Sequence, residues 1–351
     1  MSKIFVSIAG QHDNLGDVVL HRSMLKALRG LGKLHIVSHT LDAPYVGAVV
    51  DGERDDVQTD AEAWNSALRS ALGRERILYF QKPGELVLTG RRLGRDLLHS
   101  LTLRRIARRG GASFVLGVGA RSPANPWRRL ALRLAFAPYA LVGWRDVRTA
   151  REMKIGQVMP DWAFGDGTPG AEQGDGPRDQ LVVSLRIDRP EPSEEWLEAL
   201  RLFAQRRELG IAVVCQVARD MPRCEMLAAR LGGTLAPWVE GDFVATEDAL
   251  RALYRRTAMA VSDRLHVLII AATEGAVPLC LLDREEEKIG RHFDAIGFPG
   301  SAQTASGPDV EARVALLERQ FARRVELVAA CDKAREAVRA VEREVARIAG
   351  A

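Results

Sequence analysis

The stretch SDRLHVLIIAATEGAVPLCLL, residues 262–282, sets Arg264 and His266 two positions apart at the mouth of a long apolar run. Arg264 carries a permanent fork of hydrogen-bond donors that fits a carboxylate or a phosphate. His266 is the kind of side chain that titrates nearest neutral pH, so it can give or take a proton there. The pattern predicts a strand over 259–262, a helix over 265–273 closed by Gly275, and a buried parallel strand over 277–282. Both polar residues then stand at the N-terminal lip of a helix that is apolar on nearly every face. That end of a helix already carries partial positive charge, so further cations are unfavourable there unless an anion is close. The expectation is an anion site, and the competing reading is a histidine satisfied inside the core.

Four other places offer related chemistry. GQHDNLGDVVL, residues 10–20, joins the first expected strand to the first expected helix and lacks the G-x-G-x-x-G spacing of a dinucleotide loop. Asn14 and Asp17 can cap that helix while Gly16 turns tightly; alternatively the loop's backbone N–H groups meet an anionic or polyhydroxyl ligand. Arg145, in VGWRDVRTA, and Arg186, in LVVSLRID, each follow a short apolar strand. A guanidinium there forks onto a ligand anion or pairs with a surface acid such as Asp146. Asp161, in VMPDWAFGDG, sits at a strand end, where it either caps a turn or projects into a cleft as an acceptor or base.

The elements that must position these residues alternate. Strands are expected over 4–8, 34–38, 76–80, 113–118 and 140–143, with a helix over 17–31. Between 165 and 179 the chain reads GDGTPGAEQGDGPRD, which has turn chemistry and no apolar period. The pattern then restarts, with strands over 181–185 and 211–217 and helices over 194–208, 224–231 and 246–257. A charged helical pattern fills 309–348. The fold class is α/β: two Rossmann-like domains facing each other across a cleft, followed by a long C-terminal helix. The expected divisions are 1–165, an acceptor-side domain; 166–179, a linker; 180–305, a donor-side domain; and 306–351, a helical segment.

With 351 residues, 47% hydrophobic content and a net charge of +4, the chain is long enough for two cores and is not disordered as a whole. Its charge suits an anionic small molecule or an anionic membrane surface; no nucleic-acid-binding motif is present. Cys215, Cys224, Cys280 and Cys331 show no metal or C-x-x-C spacing and are expected as buried thiols in a reducing compartment. The N-terminus MSKIFVSIAG reads as a strand rather than a signal peptide, and Glu274 and Pro278 interrupt the longest apolar run. The expected location is cytoplasmic. Two Arg-rich helices with apolar faces, within 90–110 and 125–139, read as surface helices or as a peripheral contact with the inner face of a membrane.

Taken in order, these segments resemble the polysaccharide pyruvyl transferase family. The resemblance rests on Asn14-Leu15-Gly16-Asp17, Gly117-Val118-Gly119, Arg145-Asp146 and Asp161-Trp162-Ala163-Phe164. Most specific are Arg264-Leu265-His266 opening an apolar helix and Gly275-Ala276-Val277-Pro278 after it. The chain departs from the family at Phe80–Glu85, where one glycine stands in place of a Gly-rich loop, at Arg145–Thr149, where Arg-Asp-Val-Arg-Thr replaces Arg-Glu-x-x-Ser, and at Asp283–Lys288. The resemblance implies a glycosyltransferase-B-like fold and transfer of a pyruvyl group from phosphoenolpyruvate to a sugar, as a ketal across two hydroxyls. It implies that Arg264, His266 and Arg145 hold and activate the donor, and that Leu265 lies in the donor site. Asn14, Gly16, Asp17, Asp161 and Arg186 are the remaining candidate binding residues, with Asp17 or Asp161 as base. The acceptor would be a glycan or a lipid-linked sugar. No metal and no cofactor beyond the donor substrate is expected. The alternative is a sugar-nucleotide-dependent glycosyltransferase of the same fold.

Overall fold

The computed structural model describes residues 2–38, 41–86, 90–121, 125–284, 286–305 and 307–350, with 90–92 described by backbone alone. The chain divides into two units. The first comprises residues 1–12, 19–162 and 336–351, the second 13–18 and 163–335.

The sheet of the first unit is built from β1 (Ser2–Ile8), β2 (Leu34–Ser38), β3 (Asp55–Gln58), β4 (Arg76–Gln81), β5 (Gly84–Leu86), β6 (Ala112–Ala120), β7 (Leu141–Trp144) and β8 (Gln157–Val158). Its order is β3-β2-β1-β4-β6-β7-β8, with β5 also on β6, and every pairing is parallel. Parallel strands need crossover helices, which cover both faces and demand continuous apolar runs. ASFVLGVGA of β6 meets that demand and is buried throughout.

The second unit holds β9 (Gln180–Ser184), β10 (Gly210–Val213), β11 (Thr234–Leu235), β12 (Thr257–Ser262), β13 (Val277–Leu282) and β14 (Ala302–Thr304). The order is β11-β10-β9-β12-β13-β14, again all parallel. Numbered from β9, this is the doubly wound order 3-2-1-4-5-6, whose winding reverses between β9 and β12. Ser184 pairs with Ser262 at the carboxyl ends of those two strands, so the loops that follow them leave the sheet side by side.

Five strands lie outside the sequence expectation: β3, β8, β11 and β14 are sheet edges reading DDVQ, QV, TL and AQT, and β5 is a three-residue strand, GEL, beside β6; an edge needs no apolar run. β10 ends at Val213 rather than at 217. The chain beyond it pairs antiparallel with the 13–15 loop, through a bridge between Asn14 and Val217 and a bond from Leu15 N to Gln216 O of 3.0 Å. Residues 166–179, turn-like in composition, cluster with the second unit. Their polar groups are used there: Thr168 donates to Glu274 at 2.6 Å, and Arg178 donates to the carbonyls of Thr257 at 2.9 Å and Glu274 at 2.7 Å. The C-terminal pattern is two helices, Val310–Phe321 and Arg324–Ala349, broken at 322–323. The four cysteines are buried and unbridged.

The end of the last helix is part of the first unit's core. Val338, Val341 and Val345 are buried, and Arg76 donates to the carbonyls of Ile348, at 3.3 Å, and Ala349. Each buried valine contributes about 2 kcal/mol. Removing residues 336–351 is therefore expected to destabilise the first unit and spare the second. Hydrogen exchange checks this: β1 and β4 should lose protection while β9 and β12 keep theirs.

Candidate functional site

In the second unit, the helix Leu265–Thr273 is buried along its whole length, Leu265 and His266 included. Arg264 occupies its N-cap position, with its N–H donating to Ser262 Oγ at 2.9 Å. Arg264 Nε donates to one oxygen of Asp220 at 2.7 Å, and Nη2 is ion-paired with the same oxygen at 2.5 Å. The other Asp220 oxygen accepts from Ile187 N at 3.0 Å. The anion that the helix start demands is therefore supplied by the protein itself. One carboxylate ties together the segments that follow β9, β10 and β12.

The Asn14–Asp17 loop belongs to this same unit. Asn14 Oδ1 accepts from Gly16 N at 2.9 Å, and Asn14 O accepts from Asp17 N at 3.1 Å, so the cap expected there is present and opens the helix Leu15–Arg29. The loop is held on 216–218 by Ala218 N donating to Asp13 O at 2.9 Å and by Arg219 forking onto Asp13. Gly16 lies directly on the imidazole of His266. A Cβ at position 16 would come within 2.5 Å of His266 Cβ and 2.7 Å of its Nδ1, closer than atoms pack. The glycine is needed for close approach, which its spacing in the motif did not show.

Beside this cluster, Arg186 forks onto Asp188 at 2.8 and 2.6 Å, and its backbone N–H donates to Asp263 Oδ1 at 2.9 Å across the β9–β12 switch point. The Arg186 fork holds the Asp188 carboxyl down at about 2. Burial pushes Asp263 above the usual carboxylate range, opposed by its bond from Arg186 N. A pocket of about 270 Å³ lies at these strand ends, lined by Arg186, Arg189, Trp196, Asp263, Asp283 and Arg284 among others.

In the first unit, Arg145 follows β7 and donates to Asp161 at 3.3 Å; both side chains are buried. Asp161 thus sits against a guanidinium inside the unit instead of projecting outward as a free acceptor. Two glycines make room. Gly117, at φ +72°, sits where the β6–β7 register shifts, and a Cβ on it would meet the Trp162 ring at 2.7 Å. A Cβ on Gly119 would meet Asp146 at 2.7 Å and Arg145 at 3.2 Å. Asp146 is the N-cap of the helix Val147–Met153, accepting from Thr149 N and Oγ1 at 2.8 Å each. Among the described residues, no group of three or more His, Cys, Asp or Glu side chains is placed to hold a metal ion.

A family model described as polysaccharide pyruvyl transferase matches residues 14–281. The chain belongs to the polysaccharide pyruvyl transferase family. No curated protein matches it. Among solved structures, Anabaena HepE in complex with UDP-glucose has a TM-score of 0.53 at 12% identity, covering 99% of this chain and 98% of that one. The S. aureus MnaA–UDP co-structure has a TM-score of 0.53 at 11% identity, covering 95% and 91%. At such identities the likeness speaks for the fold, which is glycosyltransferase-B-like with two Rossmann-like sheets.

In this pyruvyl transferase family member, Asp220 and Asp188 bond the candidate residues Arg264 and Arg186, and the sequence motifs do not point to either. The signal for Asp220 was an unanswered question, namely which anion balances Arg264 at a cationic helix start. Replacing Gly16 by Ala should push the loop off His266 and cost about 1–3 kcal/mol, as overpacking does; thermal unfolding and the His266 ring NMR signals check it. The Arg186–Asp188 pair is lost only as pH falls through about 2, below the unfolded carboxyl value. A carboxyl NMR titration should find Asp188 near that value, and Arg186→Gln should return it to the ordinary aspartate range of about 4.

Proposed function

We propose that the protein transfers a pyruvyl group from phosphoenolpyruvate to two hydroxyls of a sugar in a glycan or lipid-linked precursor. The observation that carries this reading is the pairing of Arg264, oriented by buried Asp220, with His266 clamped under Gly16. Family membership supports it.

The donor has a carboxylate, a phosphate and an enol carbon–carbon bond. Guanidinium forks suit the two anions, and Arg264 is already aimed by Asp220, so little reorganisation remains when an anion arrives. Arg145, backed by Asp161, acts as a second guanidinium on the donor in this reading. His266 protonates the methylene carbon, which becomes a methyl group, and the neighbouring carbon becomes open to attack. Two sugar hydroxyls form the two new carbon–oxygen bonds, and the carbon–oxygen bond to phosphate breaks. One hydroxyl proton replaces the one given by His266 and the other leaves with phosphate, so the step balances without oxidation or reduction. Asp17, in the first turn of its helix, is the carboxylate we assign as proton acceptor. Buried free thiols accord with a reducing compartment such as the cytoplasm.

Phosphoenolpyruvate should raise the melting temperature, and UDP-glucose should not. His266→Gln should keep that stabilisation and lower phosphate release with a glycan acceptor by about 10²–10⁴-fold, the usual contribution of a general acid. Stabilisation by UDP-glucose alone, or unchanged phosphate release in His266→Gln, overturns the reading; the former favours a sugar-nucleotide enzyme.

A further inference from the structure

The helices Gly90–Arg108 and Pro126–Phe136 of the first unit pack side by side. Their inner faces are accounted for. Leu103 and Ile106 pack with Phe5, Ile77 and Tyr79, while Leu132 and Phe136 pack with Val115 and Val142. Strand register pairs Phe5 with Tyr79 and Tyr79 with Ser113, two residues before Val115. Alternate residues share a face, so both clusters lie on one side of the sheet and both helices cover that side.

Their outer faces therefore point the same way, and those faces are apolar. Leu97, Leu98 and Leu101 on one helix and Trp127, Leu130 and Leu134 on the other are exposed, with Leu98 at 69% and Trp127 at 79%. These are six of the twelve exposed large apolar side chains among the described residues, so the concentration is local. Single exposed leucines are ordinary, but a contiguous set on adjacent helices marks a contact surface. Its charge names the partner. Arg95, Arg104, Arg105, Arg108 and Arg128 are exposed on the same two helices, and Asp96 is the one acid in either.

We propose that this face docks on an anionic lipid bilayer, with the leucines and Trp127 entering the boundary between headgroups and acyl chains and the arginines on lipid phosphates. Leucine and tryptophan beside arginine is the composition that lies in such an interface, and long arginine stems let the charge stay at the headgroups. Among the described residues no helix is long and apolar enough to cross a membrane, so the contact is one of lying on the surface. The proposal is independent of which group the enzyme transfers.

The full chain should co-sediment with vesicles of mixed phosphatidylglycerol and phosphatidylcholine, and much less with phosphatidylcholine alone. The double variant Leu98→Gln/Trp127→Gln should weaken binding at least tenfold, with its melting temperature unchanged because neither side chain is in the core. The triple variant Arg104→Gln/Arg105→Gln/Arg108→Gln should weaken it by a similar factor or more, at about fivefold per cation. Absence of binding to the anionic vesicles at low salt, or equal binding by wild type and both variants, overturns the proposal. So does a dimer seen by light scattering that the Leu98/Trp127 variant dissociates, which assigns the face to a second copy of the chain.

Discussion

The buried ion pair between Arg264 and Asp220 is the constraint on which the candidate site depends. Asp220 is 1% exposed, and its two oxygens are spent on Ile187 N and on Arg264. A buried pair of this kind adds little net stability compared with an apolar pair, yet removing one partner costs about 3–5 kcal/mol because the other charge stays buried. Its value is geometric. The segments after β9, β10 and β12 would otherwise be three independent loops, and one carboxylate gives them a common point. The guanidinium is fixed in orientation before any ligand arrives, which is the condition for strong electrostatic stabilisation of a developing charge.

Close approach of glycine backbone to the candidate side chains is the second recurring device. Gly16 lies on His266 in the second unit, and Gly117 and Gly119 lie against Trp162 and the Arg145–Asp146 pair in the first. In each case a Cβ would occupy the position of the neighbouring side chain. Backbone without a side chain packs rigidly against an imidazole or guanidinium and limits its rotamers, whereas a longer residue would have to displace it. Helix starts do related work: the buried helix Leu265–Thr273 sets Arg264 and His266 at its first turn, and Asp146 caps another.

The arginines fall into two physical populations. Arg145, Arg264 and Arg313 are largely buried and bonded to Asp161, Asp220 and Asp283, where planar forks satisfy more than one donor at once. Arg95, Arg104, Arg105, Arg108 and Arg128, on the helices Gly90–Arg108 and Pro126–Phe136, stand at the surface beside exposed leucines. A net charge of +4 conceals this separation, since composition counts both populations alike.

The apolar elements and the chemistry at their ends can be read from the residues in order. β2, β13 and the helix Leu265–Thr273 were legible to the residue because buried parallel strands and buried helices require unbroken apolar runs. Arg264, His266, Gly16 and Arg145 were legible as residue types at strand ends and helix starts. Edge strands such as DDVQ and QV were not, because an edge is specified by its neighbour's hydrogen bonds and not by its own side chains. The partners of the candidate residues were decided by tertiary structure. Asp220 lies 44 residues before Arg264, and Gln216 and Val217 lie some 200 residues beyond the loop they hold. Such pairings depend on which strand ends the winding of the sheet brings together, and no local pattern of residues encodes that.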